Sequence, residues 1–170
     1  MRSLAAALLV LAGCGGPGRI VPYEEDFETL CDGTPCGWVQ TLGPPGAVSY
    51  LETIPGDHGL SFTGDGVVAR GGARTLASVS LLEIAEVSGR CDDGSSLELR
   101  ISVIDETGVA ATLEAVSMPG AEWSIPEPIP LSAPPGRLPG VREVVGVLVR
   151  KLGPGACEID RLVLDVRSAI

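Results

Sequence analysis

The chain has 170 residues, with 12 basic and 22 acidic side chains and a net charge of −10 with histidine neutral. So acidic a chain lacks the basic surface on which phosphates are neutralised, which argues against a nucleic-acid partner. Its 23 glycines and 14 prolines approach the level of a disordered chain, but alternating apolar residues assign them to turns between short strands.

In chain order, Met1-Arg2-Ser3 is a short positive segment and Leu4 to Leu11 an apolar one, followed by the small residues Ala12 and Gly13. The apolar run is well short of the ~20 residues that a membrane span needs and has the layout of an export signal. Leu11-Ala12-Gly13-Cys14 resembles the lipobox of bacterial lipoproteins. The alternative is a buried first helix that ends in the same residues. The resemblance implies cleavage before Cys14, diacylglycerol on its thiol and a further acyl chain, such as palmitate, on its amine. Two or more chains anchor stably where one does not. Gly15 after the modified cysteine resembles the sorting signal for the outer membrane, so the expected location is the bacterial cell envelope. Residues 1–13 are then the signal peptide, 14–22 a lipidated flexible tether and 23–168 a folded domain. Losing Arg2 with the signal takes the net charge from −10 to −11. About 145 residues remain beyond the tether, enough for one domain with one core.

Tyr23 to Leu30 reads as a first strand, with Phe27 and Leu30 as core candidates and acids at Glu24, Glu25, Asp26 and Glu28. Cys31-Asp-Gly-Thr-Pro-Cys36 is a tight loop built of turn formers. Trp38, Val39 and Leu42 precede the break Gly43-Pro44-Pro45-Gly46. Ala47 to Ile54 reads as a strand and Pro55 to Gly59 as a turn. Leu60 to Thr63 is a short alternating strand, and Val67 to Arg70 is expected to pair back on it. Thr75 to Val87 lacks a clean period. Val79, Leu81, Leu82 and Ile84 suit a strand buried on both faces, with a helix as the alternative.

Leu97, Leu99, Ile101 and Val103 alternate with polar residues and make the clearest strand. Asp105 to Gly108 is a hairpin turn from which Val109 to Ser117 returns. Pro126, Pro128 and Pro130 remove donors from one side of Trp123 to Leu131, which is therefore an edge strand or extended loop. Val144 to Lys151 and Cys157 to Val166 are the last strands. Many short strands, Gly/Pro turns and no convincing long helix predict an all-β fold, an antiparallel β-sandwich.

With Cys14 lipidated, four of the five cysteines remain, in an oxidising compartment where disulfides form. Three pairings are open to them. Cys31 and Cys36 flank a turn-forming tetrapeptide, which favours their bond and leaves Cys91 with Cys157. The spacings do not match a pair of Cys-x-x-Cys zinc motifs.

Four stretches in order resemble the galactose-binding-like jelly rolls, carbohydrate-binding modules in particular. They are Asp26-Phe27-Glu28 followed by Trp38, Asp57-His58-Gly59-Leu60-Ser61-Phe62-Thr63-Gly64, the segment Trp123 to Leu131, and Ile159-Asp160-Arg161-Leu162-Val163-Leu164. Together they span Asp26 to Val166. The resemblance implies a structural calcium that joins the first strand to the last, with Glu28, Asp57 and Asp160 as its carboxylates. Calcium takes 6–8 hard oxygens, so backbone carbonyls and water would complete the set. Alternatively, these acids are solvated or cap turns. The resemblance also places Trp38, Phe27 and Phe62 in the core and Trp123 in a structural strand. That leaves Tyr23 and Tyr50 as the aromatics on which a sugar could stack, fewer than such modules usually present.

Catalytic signals are sparse. His58 is the one histidine, it lies in an Asp-His-Gly turn, and no nucleophile elbow, phosphate loop or dinucleotide fingerprint is present. The sequence supports a non-catalytic, membrane-anchored binding domain for a glycan or other extracellular polymer. The alternative is a structural lipoprotein that contacts a protein partner in the envelope, and an enzyme ranks third.

Overall fold

The computed structural model describes residues 23–54, 57–117, 120, 129–130 and 140–167. The signal, Cys14 and the tether lie outside them, as does most of the segment from Trp123 to Leu131. Twelve strands and no helix occur among the described residues. In chain order they are β1 (Tyr23–Glu25), β2 (Leu30–Cys31), β3 (Thr34–Pro35), β4 (Trp38–Leu42), β5 (Val48–Ile54) and β6 (Asp57–Phe62). The others are β7 (Val67–Cys91), β8 (Ser96–Asp105), β9 (Ala110–Ser117), β10 (Ile129–Pro130), β11 (Val141–Leu152) and β12 (Cys157–Arg167).

All pairings are antiparallel. One layer runs β4-β7-β11-β8-β9 and the other runs β5-β6-β12-β7, with β1 on β12 and β10 on the far edge of β7. The all-β expectation therefore holds. Strand β7 belongs to both layers: residues 67–80 pair with β11 and residues 81–91 with β12. The separate strands expected at Val67 to Arg70 and Thr75 to Val87 are one continuous element of 25 residues. Gly71-Gly72 does not turn the chain, because Gly71 stays in register opposite Gly146. The irregular apolar pattern of Thr75 to Val87 reflects the change of layer, not a helix.

The core lies between the layers. Leu97, Leu99, Ile101 and Val103 of β8 are buried on one face, as their alternation predicts. In β11 the inward valines are Val141, Val144, Val147 and Val149; two bulges, after Val141 and after Val144, keep them on one side. A bulge in β12 likewise returns Leu162 and Leu164 to the face of Cys157 and Ile159. Phe27 and Trp38 meet in this core with ring centroids 5.4 Å apart, and Phe62 is fully buried. All three occupy the places implied by the resemblance.

The first strand is shorter than expected. Phe27 adopts a positive φ of 58° and ends β1, its N–H bonded 3.0 Å from Glu25 Oε1. Glu25 is itself buried and ion-paired with Arg70 of β7, so one carboxylate ties the turn after β1 to the opposite layer. Removing Arg70 would leave the buried Glu25 charge uncompensated and so destabilise the fold. Leu30, a core candidate, is 44% exposed: it lies beyond this turn in the β2–β3 hairpin, outside both layers. Asp57 to Gly59, expected in a turn, belong instead to β6 and pair with β5. At the far edge, Ile129–Pro130 pairs with β7 and, among the described residues, with no second strand, in keeping with the proline spacing of that segment.

Both disulfides are formed, Cys31–Cys36 across the β2–β3 hairpin and Cys91–Cys157 between β7 and β12. Cys91 and Cys157 are direct cross-strand partners, at the last residue of β7 and the first of β12.

Candidate functional site

Two places gather polar chemistry. The first is a junction on one edge of β12, which pairs with β6 over Cys157–Ile159 and with β1 over Leu162–Leu164. Asp160 sits at the bulge between these stretches. Gly59 passes so close that an added Cβ would lie 2.4 Å from the Ile159 carbonyl oxygen, so a side chain there would push β6 off β12. Glu28, just beyond the β1 turn, reaches across the gap: its Oε1 accepts from the His58 N–H at 2.6 Å and its Oε2 lies 3.0 Å from His58 Nδ1. The imidazole in turn stacks on Tyr50, centroids 5.0 Å apart.

Electrostatics at the junction are uneven. The hydrogen bonds from His58 hold Glu28 below the usual carboxylate range, with a smaller contribution from Asp57. Asp160 is pushed upward, chiefly by burial and also by the charge of Asp57, while a hydrogen bond from Ser88 opposes the shift. Its Oδ1 is buried without a hydrogen-bond partner. The three acids expected as calcium ligands thus border one junction, with Asp57 in electrostatic reach of the other two. Among the described residues no three His, Cys, Asp or Glu side chains form a ready-made metal cage. The donor set is nevertheless hard oxygen, and the orphaned Asp160 Oδ1 is the kind of atom a cation would satisfy.

The second place is a groove of about 390 Å³ at one end of the β4-β7-β11-β8 face. Cross-strand register assembles it. Leu148 of β11 lies opposite Arg100 of β8 and Ala69 of β7, and Arg150 lies opposite Glu98 and Val67. Leu42, Val67, Leu148 and Leu152 give apolar lining, and Arg100, Arg150, Lys151 and Asp65 give charge. Glu98 holds both guanidinium groups: Arg100 Nη2 donates to its Oε1 at 3.0 Å, and Arg150 Nη1 lies 3.7 Å from its Oε2. Arg100 Nε also lies 3.3 Å from Glu114 on β9. Lys151 is buried, with Nζ donating to the Gly153 carbonyl at 2.5 Å and 4.0 Å from the exposed carboxylate of Asp65. The volume is within the ~300–1,000 Å³ of small-ligand sites.

Of the two tyrosines left as sugar platforms, Tyr23 does not serve. Tyr23 alternates inward with Glu25 and is buried in the core, and Tyr50 is half-buried with a ring face against His58. Trp123 lies outside the described residues. Sequence reasoning did not single out Arg100, Arg150 or Lys151. The available signal was phase: Arg100 falls between inward Leu99 and Ile101, so it must face outward.

No family model matches the chain, and no curated protein matches it. Solved structures do. The chain is similar to the xylanase 10B CBM22-1–GH10 modules of Clostridium thermocellum in complex with xylohexaose, at 15% identity and TM-score 0.54; 89% of this chain is covered but only 30% of that one. It is similar to the carbohydrate-binding module CtCBM11, at 16% identity and TM-score 0.53, with 86% and 95% of the two chains covered. It is also similar to the agarase AgWH50C, at 10% identity and TM-score 0.51, covering 87% of this chain and 26% of that one. At such identities the likeness is one of fold, and the fold is the jelly-roll β-sandwich found in carbohydrate-binding modules.

Proposed function

We propose that this chain is a non-catalytic glycan-binding domain, held on the bacterial cell envelope through lipid on Cys14. The observation that carries the binding reading is the groove on the β4-β7-β11-β8 face, in a fold shared with carbohydrate-binding modules. Its aliphatic lining offers contact to the C–H faces of a sugar, and its charged rim offers hydrogen bonds to hydroxyls. Calcium is part of the proposal. Asp160, Asp57 and Glu28 would hold it, and its contribution would be structural, drawing β1 and β6 together along the edge of β12.

The test is retention of the full-length, detergent-solubilised protein on a panel of immobilised neutral and acidic polysaccharides. Retention by at least one polymer is expected, and Leu148→Glu, which puts a charged side chain in the groove, should abolish it while leaving the melting temperature close to that of the parent. Retention unaffected by that substitution would place the binding site elsewhere. A second reading, contact with an envelope protein, is favoured by Val39 and Leu42, exposed on β4, which pairs through one side only. Co-purification of one fixed protein from membranes, with no polysaccharide retained, would support it instead.

A further inference from the structure

We propose that the groove takes an acidic sugar, with Arg100 and Arg150 receiving the carboxylate of a uronate residue in a polysaccharide; this rests on the glycan-binding reading above. Three cations line one groove in a chain with only 12 basic residues and a net charge of −10. Among the described residues the charged groups in the lining are Arg100, Arg150, Lys151 and Asp65, with Glu98 and Glu114 paired to the arginines beside it. Lys151 is the only lysine of the chain and is withdrawn from solvent, its nearest carboxylate 4.0 Å away on a side chain that is otherwise exposed.

Arg100 and Arg150 come from different strands, 50 positions apart, and are brought side by side by the register of β8 on β11. Adjacent guanidinium groups repel each other, and Glu98 between them offsets that repulsion, hydrogen-bonded to Arg100 and 3.7 Å from the half-exposed Arg150. Glu98 occupies Nε and Nη2 of Arg100 but leaves its other terminal nitrogen, and most of the Arg150 fork, with donors to spare. A planar fork suits a carboxylate, which it can bind through two parallel hydrogen bonds.

The rest of the lining selects among anions. A bare inorganic anion would leave Leu42, Leu148 and Leu152 without a partner. A nucleotide base would find no aromatic ring among the described residues that line the groove. A sugar acid presents a carboxylate at one end and a C–H face across the ring, and so matches both parts.

The experiment is titration of the full-length protein in detergent, without added divalent cations, against four probes. They are polygalacturonate, its fully methyl-esterified form, a sulfated polysaccharide and neutral xylan. Polygalacturonate should bind best, and methyl esterification, which removes the charge but keeps the sugar, should weaken binding about ten-fold or more. Arg150→Gln, at a half-exposed position whose loss should leave the melting temperature unchanged, should weaken polygalacturonate by a similar factor and xylan, which offers the rim hydroxyls alone, by much less. Equal binding of the ester or of xylan would overturn the acidic specificity and leave the glycan-binding reading standing. Tighter binding of the sulfated polymer, lost in Arg150→Gln, would overturn the carboxylate assignment in favour of a sulfate ester. Failure of all four probes would overturn the glycan reading at this site, and the acidic specificity with it.

Discussion

Asp105 closes the turn between β8 and β9 with one carboxylate oxygen, which accepts from the Thr107 N–H at 2.8 Å, the Thr107 hydroxyl at 2.7 Å and the Val109 N–H at 2.9 Å. These bonds, the Thr107 hydroxyl's first, hold its carboxyl below the ordinary range. A folded-state value below the unfolded one stabilises the fold above the unfolded value, and the gain is lost as pH falls through the folded value. Asp105→Ala should therefore melt below the parent at neutral pH, with the gap narrowing as the solution is acidified through the carboxylate range. A gap that stays constant with pH would show that ionisation of Asp105 does not hold the turn. Asp160 is the opposite case, a carboxylate with a buried oxygen left unpartnered. A cation that binds only the folded state raises stability with its concentration. Calcium should raise the melting temperature of the parent, and Asp160→Asn should remove that response. In chelator the same variant should equal or exceed the parent, since it takes away a half-buried charge. A parent indifferent to both calcium and chelator would rule out the metal.

At the scale of elements, the two disulfides carry different weights. Cys31–Cys36 closes a separation of 5 residues and Cys91–Cys157 one of 66. In the chain-entropy account the longer loop constrains the unfolded chain by ~4 kcal/mol and the shorter by ~2. The double substitution Cys91→Ser with Cys157→Ser should lower the denaturation midpoint more than Cys31→Ser with Cys36→Ser. The reverse order would mean that native packing around each bridge, not loop closure, sets its contribution. Both bridges were legible in the sequence because one pair flanks a turn and only one partner then remained for Cys91. Strand β8 was legible because both of its faces keep a strict two-residue period. Strand β7 was not, since the period breaks where it leaves one layer for the other, and Gly71-Gly72 imitates a turn. Tyr23 reads as a sugar platform in the sequence, and no phase from Phe27 corrects it, because the positive φ of Phe27 breaks the strand period beyond Glu25. The acids of the junction could be named from their resemblance to a motif. The cations of the groove could not, because Arg100 and Arg150 meet only through the cross-strand register, with its bulges in β11, which no local pattern encodes.

At the scale of the whole molecule, the location of the domain depends on Cys14. The four other cysteines are consumed in two disulfides, so an exported chain would retain one thiol unless Cys14 is otherwise committed, and lipidation is the commitment its lipobox context implies. Among the described residues the layers begin at Tyr23, on the edge of β12. Were Cys14 lipidated as proposed, the nine residues 14–22 could extend at most ~30 Å, which would keep the domain next to the membrane while clearing the ~8 Å over which surface charges are felt at physiological salt. That clearance would matter for a body whose net charge the proposed cleavage takes to −11. In its own host the protein should incorporate a fatty-acid analogue and partition into detergent. Cys14→Ser should lose the label and remain in the aqueous phase, with both disulfides still formed on non-reducing peptide mapping. The mapping separates failure to anchor from failure to fold. Labelling that persists in Cys14→Ser, at undiminished level, would refute Cys14 as the lipidated residue and the cleavage before it.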